Sequence, residues 1–580
     1  LAGLMDEMQG EGVSPSVIES LDITDQSGHW ARIKAFLGIV RHYFDQGTEH
    51  PDTEARQRWV IETLAAKWAE NPPPHPVILA GSTGSRGATQ LLMQAVARLP
   101  QGAVVLPGFD FDMPESVWAA MGDAMRSEDH PQYRFQRLLQ TLDLPVRAVT
   151  PWVDTPPANP ARNAVVSLAL RPAPVTDQWL RDGPDLPDIP RAMQNVTLLE
   201  APSTRTEALT IAMRLRDAAE RGQTAALITP DRTLSRQVTA ALDRWNIRPD
   251  DSAGQPLHLS PPGRLLRHVA DLFIAPLTAE ALLTLLKHPL THLGAGRGAH
   301  LRLTRELELH LRRNGPPYPT EQDFTIWVAR QADPMAQSWA DWVSACFAAQ
   351  DWPGTQSMVE TVSAHIALAE RIIAGSEADD ASELWNRPAG REARKATGAL
   401  IENAPYGGEI SARDYTSLFH AILSRYEVRN PDDTHPEILI WGTLEARVQG
   451  AELLILAGLN EGTWPALPDP DAWLNRALRH QAGLLLPERR IGLSAHDFQQ
   501  AIAAPEVWLT RAIRSDESET VASRWVNRLT NLLSGLPDQG GIATLEAMKR
   551  RGTDWVRLAA ALEDPGQIEP APRPAPCPPP

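Results

Sequence analysis

The stretch Ala80-Gly81-Ser82-Thr83-Gly84-Ser85-Arg86-Gly87-Ala88-Thr89 lies between an apolar run and an apolar helical pattern. Backbone N–H groups and a helix dipole favour an anion at such a place. Three chemistries compete for it. A P-loop needs Gly-Lys-Ser/Thr, the lysine to neutralise the outer phosphates and the hydroxyl to hold magnesium. Arg86-Gly87-Ala88-Thr89 breaks that pattern, and no Gly-Lys pair occurs anywhere in the chain. A nucleophile elbow would present Ser82 in a small-x-Ser-x-Gly turn and require a later acid and histidine. His496-Asp497 is the pair on offer, but sequence neighbours are badly placed to act as base and orienter. The three-residue spacing of Gly81, Gly84 and Gly87 is a weak dinucleotide signal, with no acidic residue at the end of a following strand. The plainest reading is a tight turn that starts a helix.

Metal and nuclease chemistry have less to stand on. There is no HExxH, no paired CxxC, and the 16 histidines are scattered. The two cysteines, Cys346 and Cys577, are far apart, which excludes a disulfide framework and suits a reducing, cytoplasmic setting. Nuclease carboxylates at Pro184-Asp185 or Pro431-Asp432-Asp433 lack a following strand with Glu-x-Lys, and Glu392 with Lys395 reads as the solvated face of a charged helix. Neither a catalytic residue nor a metal ligand is assigned.

The elements that must position these residues follow from composition and pattern. A chain of 580 residues is expected to form three to five units. With 43% apolar and 22% charged residues, most of it can fold. The net charge of -17 argues against a protein that coats nucleic acid by bulk electrostatics, and leaves room for a local basic groove. No stretch reaches the roughly 18 to 20 apolar residues that cross a bilayer, and no signal peptide opens the chain. Both termini, Leu1-Ala2-Gly3-Leu4 and the proline-rich APRPAPCPPP, read as cuts or joints.

Trp30, Ile33, Phe36 and Leu37 have helical spacing. PVILAG and AVVLPG, separated by an apolar helix, form a strand-helix-strand unit and favour a parallel sheet. From Thr150 to Arg191 the density of Pro and Asp predicts an irregular connection. A second α/β unit begins with VTLLEA, then a helix with capping-box spacing at Thr204 and Glu207, the strand TAALITP, and a helix with Leu234, Val238, Leu242 and Trp245 on one side. Long amphipathic runs follow, and strands return at EILIWG, ELLILAGL and WLTRAI.

This order resembles a superfamily-one helicase, and the longer motifs resemble AddB-type double-strand break repair proteins of the alphaproteobacterial type. AGSTGS with LPQGAVVLPGFD, HPQYRFQRLL, AALITPDRTLSRQV and DDSAGQPL carry the likeness. LEARVQGAELLILAGLNEGTWP (Leu444 to Pro465) looks like helicase motif V, and VWLTRAIRSDESETVASRW (Val507 to Trp525) like motif VI. The likeness covers nearly the whole chain. It implies an α/β fold with two RecA-like parallel-sheet domains, the second split by an all-helical insertion. The expected divisions are 1–75 and 76–192 for the first motor domain, 193–275 and 431–535 for the halves of the second, 276–430 for the insertion, and 536–580 for a helical end and linker toward a nuclease domain outside this sequence.

The resemblance further implies DNA double-strand break repair. The chain would support end resection and Chi-type sequence recognition in single-stranded DNA beside an AddA-type helicase-nuclease subunit, with broken double-stranded DNA as substrate and no membrane partner. ATP, Mg2+ and an iron-sulfur cluster belong to the full-length family, and none is expected in this segment. Without a Walker lysine or a strand-end carboxylate at Ala80-Gly81, ATP hydrolysis is not expected. By the same resemblance Arg511 matches the motif VI arginine, and Glu445, Arg447 and Arg232 take strand-end positions where relatives contact nucleotide or DNA. For Glu445 and Arg447 a structural ion pair is the alternative. Trp464, with Trp473 and Trp525 near it, is a candidate base-stacking platform, or core packing beside Pro465. Asp251 caps a helix or shapes the turn around Gly254. The rival from another class is an independent serine hydrolase or nucleotide-dependent enzyme built on Ser82 and the Gly81–Gly87 loop.

Overall fold

In the computed structural model, strand β1 (Val77–Ala80) runs into the glycine turn and the helix Gly87–Ala97, then returns as β2 (Gly102–Val105). β1 and β2 pair in parallel, Val77 beside Gly102 and Ala80 beside Val105. The described residues are 2–21, 32, 52–172, 177–293, 296–348, 354–376, 381–429, 434–447, 449–468, 471–515, 518–564 and 566. The helix expected around Trp30 to Leu37, the Pro431-Asp432-Asp433 motif and Cys577 with its tail lie outside them.

Six strands build the second sheet: β3 (Val196–Ala201), β4 (Ala225–Ile228), β5 (Pro249–Asp251), β6 (His435–Trp441), β7 (Leu453–Leu456) and β8 (Glu506–Ala512), all but β5 with an apolar run. Their spatial order is β3-β8-β7-β4-β6-β5. Every pairing from β3 to β6 is parallel, and Ala225 of β4 has Ile438 on one side and Leu453 on the other. Because alternate residues of a strand point to opposite faces, the sheet builds two cores. Leu227, Ile455 and Trp508 pack under the helices Thr204–Arg221 and Arg232–Leu242. Ile228, Leu456 and Leu509 pack with Phe498 and Trp525 from the helices Arg489–Ala501 and Arg524–Ser534.

The chain forms two compact units, Leu1–Asp250 with His435–Pro580, and Asp251–Thr434. The sheet-bearing unit therefore shows no division at 75, 192 or 535, and 251–275 of the expected second motor domain falls in the other unit. The second unit is mainly helical around its own core, which includes Leu266, Trp339, Ile372 and Phe419. It starts earlier than 276, because Gln255–Pro256 pairs antiparallel with Glu427–Val428 and ties the two ends of the unit together.

Two local expectations need correction. The region from Thr150 to Arg191 is not wholly irregular. Asn159 caps a helix Pro160–Ala169 by accepting from Arg162 N at 3.0 Å, and Ile189–Ala192 is a further turn of helix. Both have Pro in the first turn, where its missing N–H costs nothing. The helix Thr204–Arg221 is capped by Ser203, whose hydroxyl accepts from Thr206 N at 3.2 Å, and Glu207 serves elsewhere. No described helix is long and apolar enough to cross a membrane.

Candidate functional site

The six-stranded sheet defines where a ligand would sit. From β4 the chain passes through the helix Arg232–Leu242 to β5 on one side, and from β7 through the helix Arg489–Ala501 to β8 on the other. Opposite exits from adjacent strands open a crevice at the carboxyl ends of β4 and β7. Thr229, Asp231 and Arg232 follow β4, and Gly458, Asn460 and Glu461 follow β7.

Backbone donors at this edge already have carboxylate partners. Glu207, 1% exposed, accepts from Gly458 N at 3.1 Å and from the Thr510 hydroxyl at 2.7 Å. Its burial raises its pKa. Asp231 caps its own helix through Thr233 N at 2.7 Å and Leu234 N at 3.1 Å. Glu461 accepts from Arg524 N at 2.5 Å and from that guanidinium at 3.1 Å. Arg511 donates from Nε to Asn460 at 3.0 Å, from Nη1 to Glu200 at 2.8 Å, and from Nη2 to the Thr520 carbonyl at 3.1 Å and hydroxyl at 3.0 Å. Only 6% exposed, it is a keystone between strand ends.

The glycine turn is filled in the same manner. Gly81 and Gly84 adopt left-handed backbone, with φ of 79° and 65°, and Gly84 N donates to Ser82 Oγ at 3.2 Å. Gly87 N donates to Glu11 Oε1 at 2.8 Å. A Cβ on Gly87 would stand 2.7 Å from Glu11 Oε2 and 3.0 Å from Glu11 Cα, so that position needs glycine for this approach. Arg489 donates to Ser85 O at 2.9 Å.

Arg447 and Asp497 form a buried two-pronged pair at 2.5 and 3.1 Å, the structural ion pair that stood as the alternative to ligand contact. Asp497 stands on the helix Arg489–Ala501, whose Gln500 also donates to Arg447 O at 2.7 Å. The helix reaches the loop after β2 as well. His496 Nε2 donates to Pro107 O at 2.8 Å, which fixes its tautomer away from any base role toward Ser82. Gln499 donates to Asp110 Oδ2 at 2.8 Å, the Asp110 backbone N–H to Gln132 Oε1 at 3.2 Å, and Gln132 Nε2 to Gln499 Oε1 at 2.9 Å, closing a ring of three residues. Burial pushes the Asp110 carboxyl up to about 6.

The remaining expected residues scatter. The Glu445 carboxylate folds over Gly442, where an added Cβ would meet it at 2.8 Å. Arg232 is exposed in the first turn of its helix. Trp464 is 1% exposed and meets Trp525 edge to face at 6.4 Å. Both rings are core, the packing role that stood beside base stacking for Trp464. Trp525 also stacks on Phe498 at 5.4 Å, and Trp473 packs against a small core around Leu474 and Leu478. Asp251 shapes the turn before Gly254 by accepting from Ala253 N at 2.9 Å. Of the carboxylates that matter most, Glu11 and Glu200 carry no motif, and the patterns that marked Glu207 and Asp497 pointed to other roles. They reach their partners from distant segments.

Among the described residues no group of three or more His, Cys, Asp or Glu is placed to hold a metal ion. Nor does any described histidine hydrogen-bond Ser82. A triphosphate does not fit the glycine turn either, since Glu11 holds the Gly87 N–H and no lysine follows. Cys346 is buried with its thiol pushed up to about 12, unlike a cluster ligand.

Fold and site together define a mixed α/β protein on a six-stranded parallel sheet, with a helical unit between β5 and β6. Beyond that class no relative emerges, since neither a family model nor a curated protein matches the chain.

Proposed function

We propose that the chain is a helicase-like segment of an AddB-type helicase-nuclease. It holds single-stranded DNA during double-strand break repair, hydrolyses no ATP itself, and works beside an AddA-type subunit that drives unwinding. The observation that carries this reading is the meeting of β4 with β6 and β7 in one sheet, across the intervening helical unit. A motor domain split by a helical insertion has that topology. The absence of hydrolysis is supported by the strand-end donors, which are held by Glu207 and Glu461, and by Arg511, whose guanidinium is tied to Glu200 and Asn460.

The hydrolase alternative gains no geometric support, because His496 is bonded to Pro107. The test is single-strand DNA binding by the chain, titrated with salt, with and without an AddA-type partner. Affinity that falls as salt rises is expected from phosphate contacts. Absence of binding in both arms at low ionic strength contradicts the proposal.

A further inference from the structure

The helical unit holds a cleft of about 520 Å³ lined by Arg391, Lys395, Arg425 and Arg429, with Tyr426 and the carboxylates of Glu392 and Glu427. Its walls come from two segments. The helix Arg387–Asn403 buries Ala393, Ala396, Thr397 and Leu400, and this face turns Arg391 and Lys395, one helical turn apart, outward together. The other wall follows the helix Ala412–Leu423. Leu257 N donates to Tyr426 O at 2.8 Å, and the pairing of Pro256 with Glu427 and Gln255 with Val428 fixes the positions of Arg425 and Arg429.

The charges in this cleft are unbalanced. Lys395 lies 3.6 Å from Glu392 and 6.0 Å from the Tyr426 ring centre. Arg391, Arg425 and Arg429 are exposed, and among the described residues none has a carboxylate within ion-pair distance. In a chain of net charge -17, a cleft with three unpaired guanidinia stands against the prevailing sign. Planar guanidinium forks match phosphate oxygens, and a half-buried tyrosine offers a face for a base. A volume of about 520 Å³ has room for a nucleotide of a single strand.

We propose that this cleft binds the phosphodiester backbone of single-stranded nucleic acid, with Arg391, Arg425 and Arg429 on successive phosphates and Tyr426 beside a base. This rests on the reading of the chain as a single-strand binder and names where in the helical unit the strand lies. The probe is fluorescein-labelled oligothymidylate, followed by anisotropy across a salt series with the full chain. Arg391→Glu with Arg425→Glu is expected to weaken binding by about tenfold or more and to flatten the salt slope by about 1.4, at roughly 0.7 per phosphate contact. Arg425→Gln with Arg429→Gln, which retains polar side chains, is expected to give a smaller loss in the same direction. The control Arg305→Glu with Arg313→Glu makes the same charge change elsewhere in the unit and is expected to have little effect.

Equal losses in the cleft pair and the control overturn the cleft and leave the single-strand reading intact. Wild-type chain that ignores the oligonucleotide at low ionic strength brings down the reading itself. Tighter capture of a polyglutamate peptide than of oligothymidylate, lost in the cleft pair, assigns the cleft to an acidic protein segment and overturns the proposal.

Discussion

Arg447 and Arg511 of the sheet-bearing unit lie in buried networks, each guanidinium bound to a carboxylate, whereas Arg391, Arg425 and Arg429 of the helical unit stand exposed without one. The first two occupy the positions that motif resemblance marks for ligand contact. The other three lie in stretches with no motif. The availability of a charge thus depends on which carboxylates the fold brings beside it and not on motif position. In this chain Arg511 ties strand ends together and Arg447 ties a loop to a helix, whereas the cleft arginines of the helical unit are exposed.

The sharpest way to break this contrast is to remove a buried partner. Arg447→Ala leaves Asp497, whose side chain is 3% exposed, as a buried charge without its counterion. A loss of about 3 to 5 kcal/mol in urea unfolding is expected, with partial recovery in Arg447→Lys. A loss below about 0.5 kcal/mol, the level of an ordinary surface substitution, would place Arg447 among the available cations.

The next effect is pH-dependent and concerns the ring that joins the loop after β2 to the helix of Asp497. Asp110 has its carboxyl raised from 3.8 to about 6, chiefly by burial. The fold therefore favours the neutral acid. That preference is fully present below about pH 4 and is lost as pH rises through about 6. Around the ring stand Asp112, His130 and His496, and burial holds His130 down at about 3, so it stays neutral throughout. Asp110→Asn is expected to raise stability at pH 8 by up to about 3 kcal/mol, since one pKa unit corresponds to 1.36 kcal/mol, and to flatten the wild-type decline between pH 4 and 7. Parallel stability profiles for both proteins would show that Asp110 carries no such cost. The smallest effect is expected at the other pole: Arg391→Ala and Arg425→Ala should each change stability by less than about 0.5 kcal/mol, read by the same unfolding curves.

The central strands of the large sheet were legible because they are short apolar runs, whereas β5, Pro-Asp-Asp at the sheet edge, gave no such signal. β4 and β7 bury every residue, and nothing in them competes with strand pairing. The Pro160–Ala169 helix was not legible, because a proline that starts a helix and one that breaks it look alike until Asn159 is seen to cap the turn. Glu207 has the spacing of a capping residue, yet Ser203 takes the cap and the carboxylate turns inward to Gly458, a contact across the sheet that local pattern cannot encode. The same limit hid the cleft. Arg391 and Arg425 line one cleft although they lie 34 positions apart, and the long-range pairing of Gln255–Pro256 with Glu427–Val428 that fixes one wall carries no local signal.

The most direct test of the account is a single-strand DNA binding isotherm of the full chain, recorded in constant free Mg2+ and matched ionic strength, with and without ATP. The account predicts salt-sensitive binding that is the same in both, because Glu11 and Glu207 hold the donors a triphosphate would need. Binding that depends on ATP, accompanied by DNA-stimulated turnover that Arg511→Ala abolishes, would contradict it.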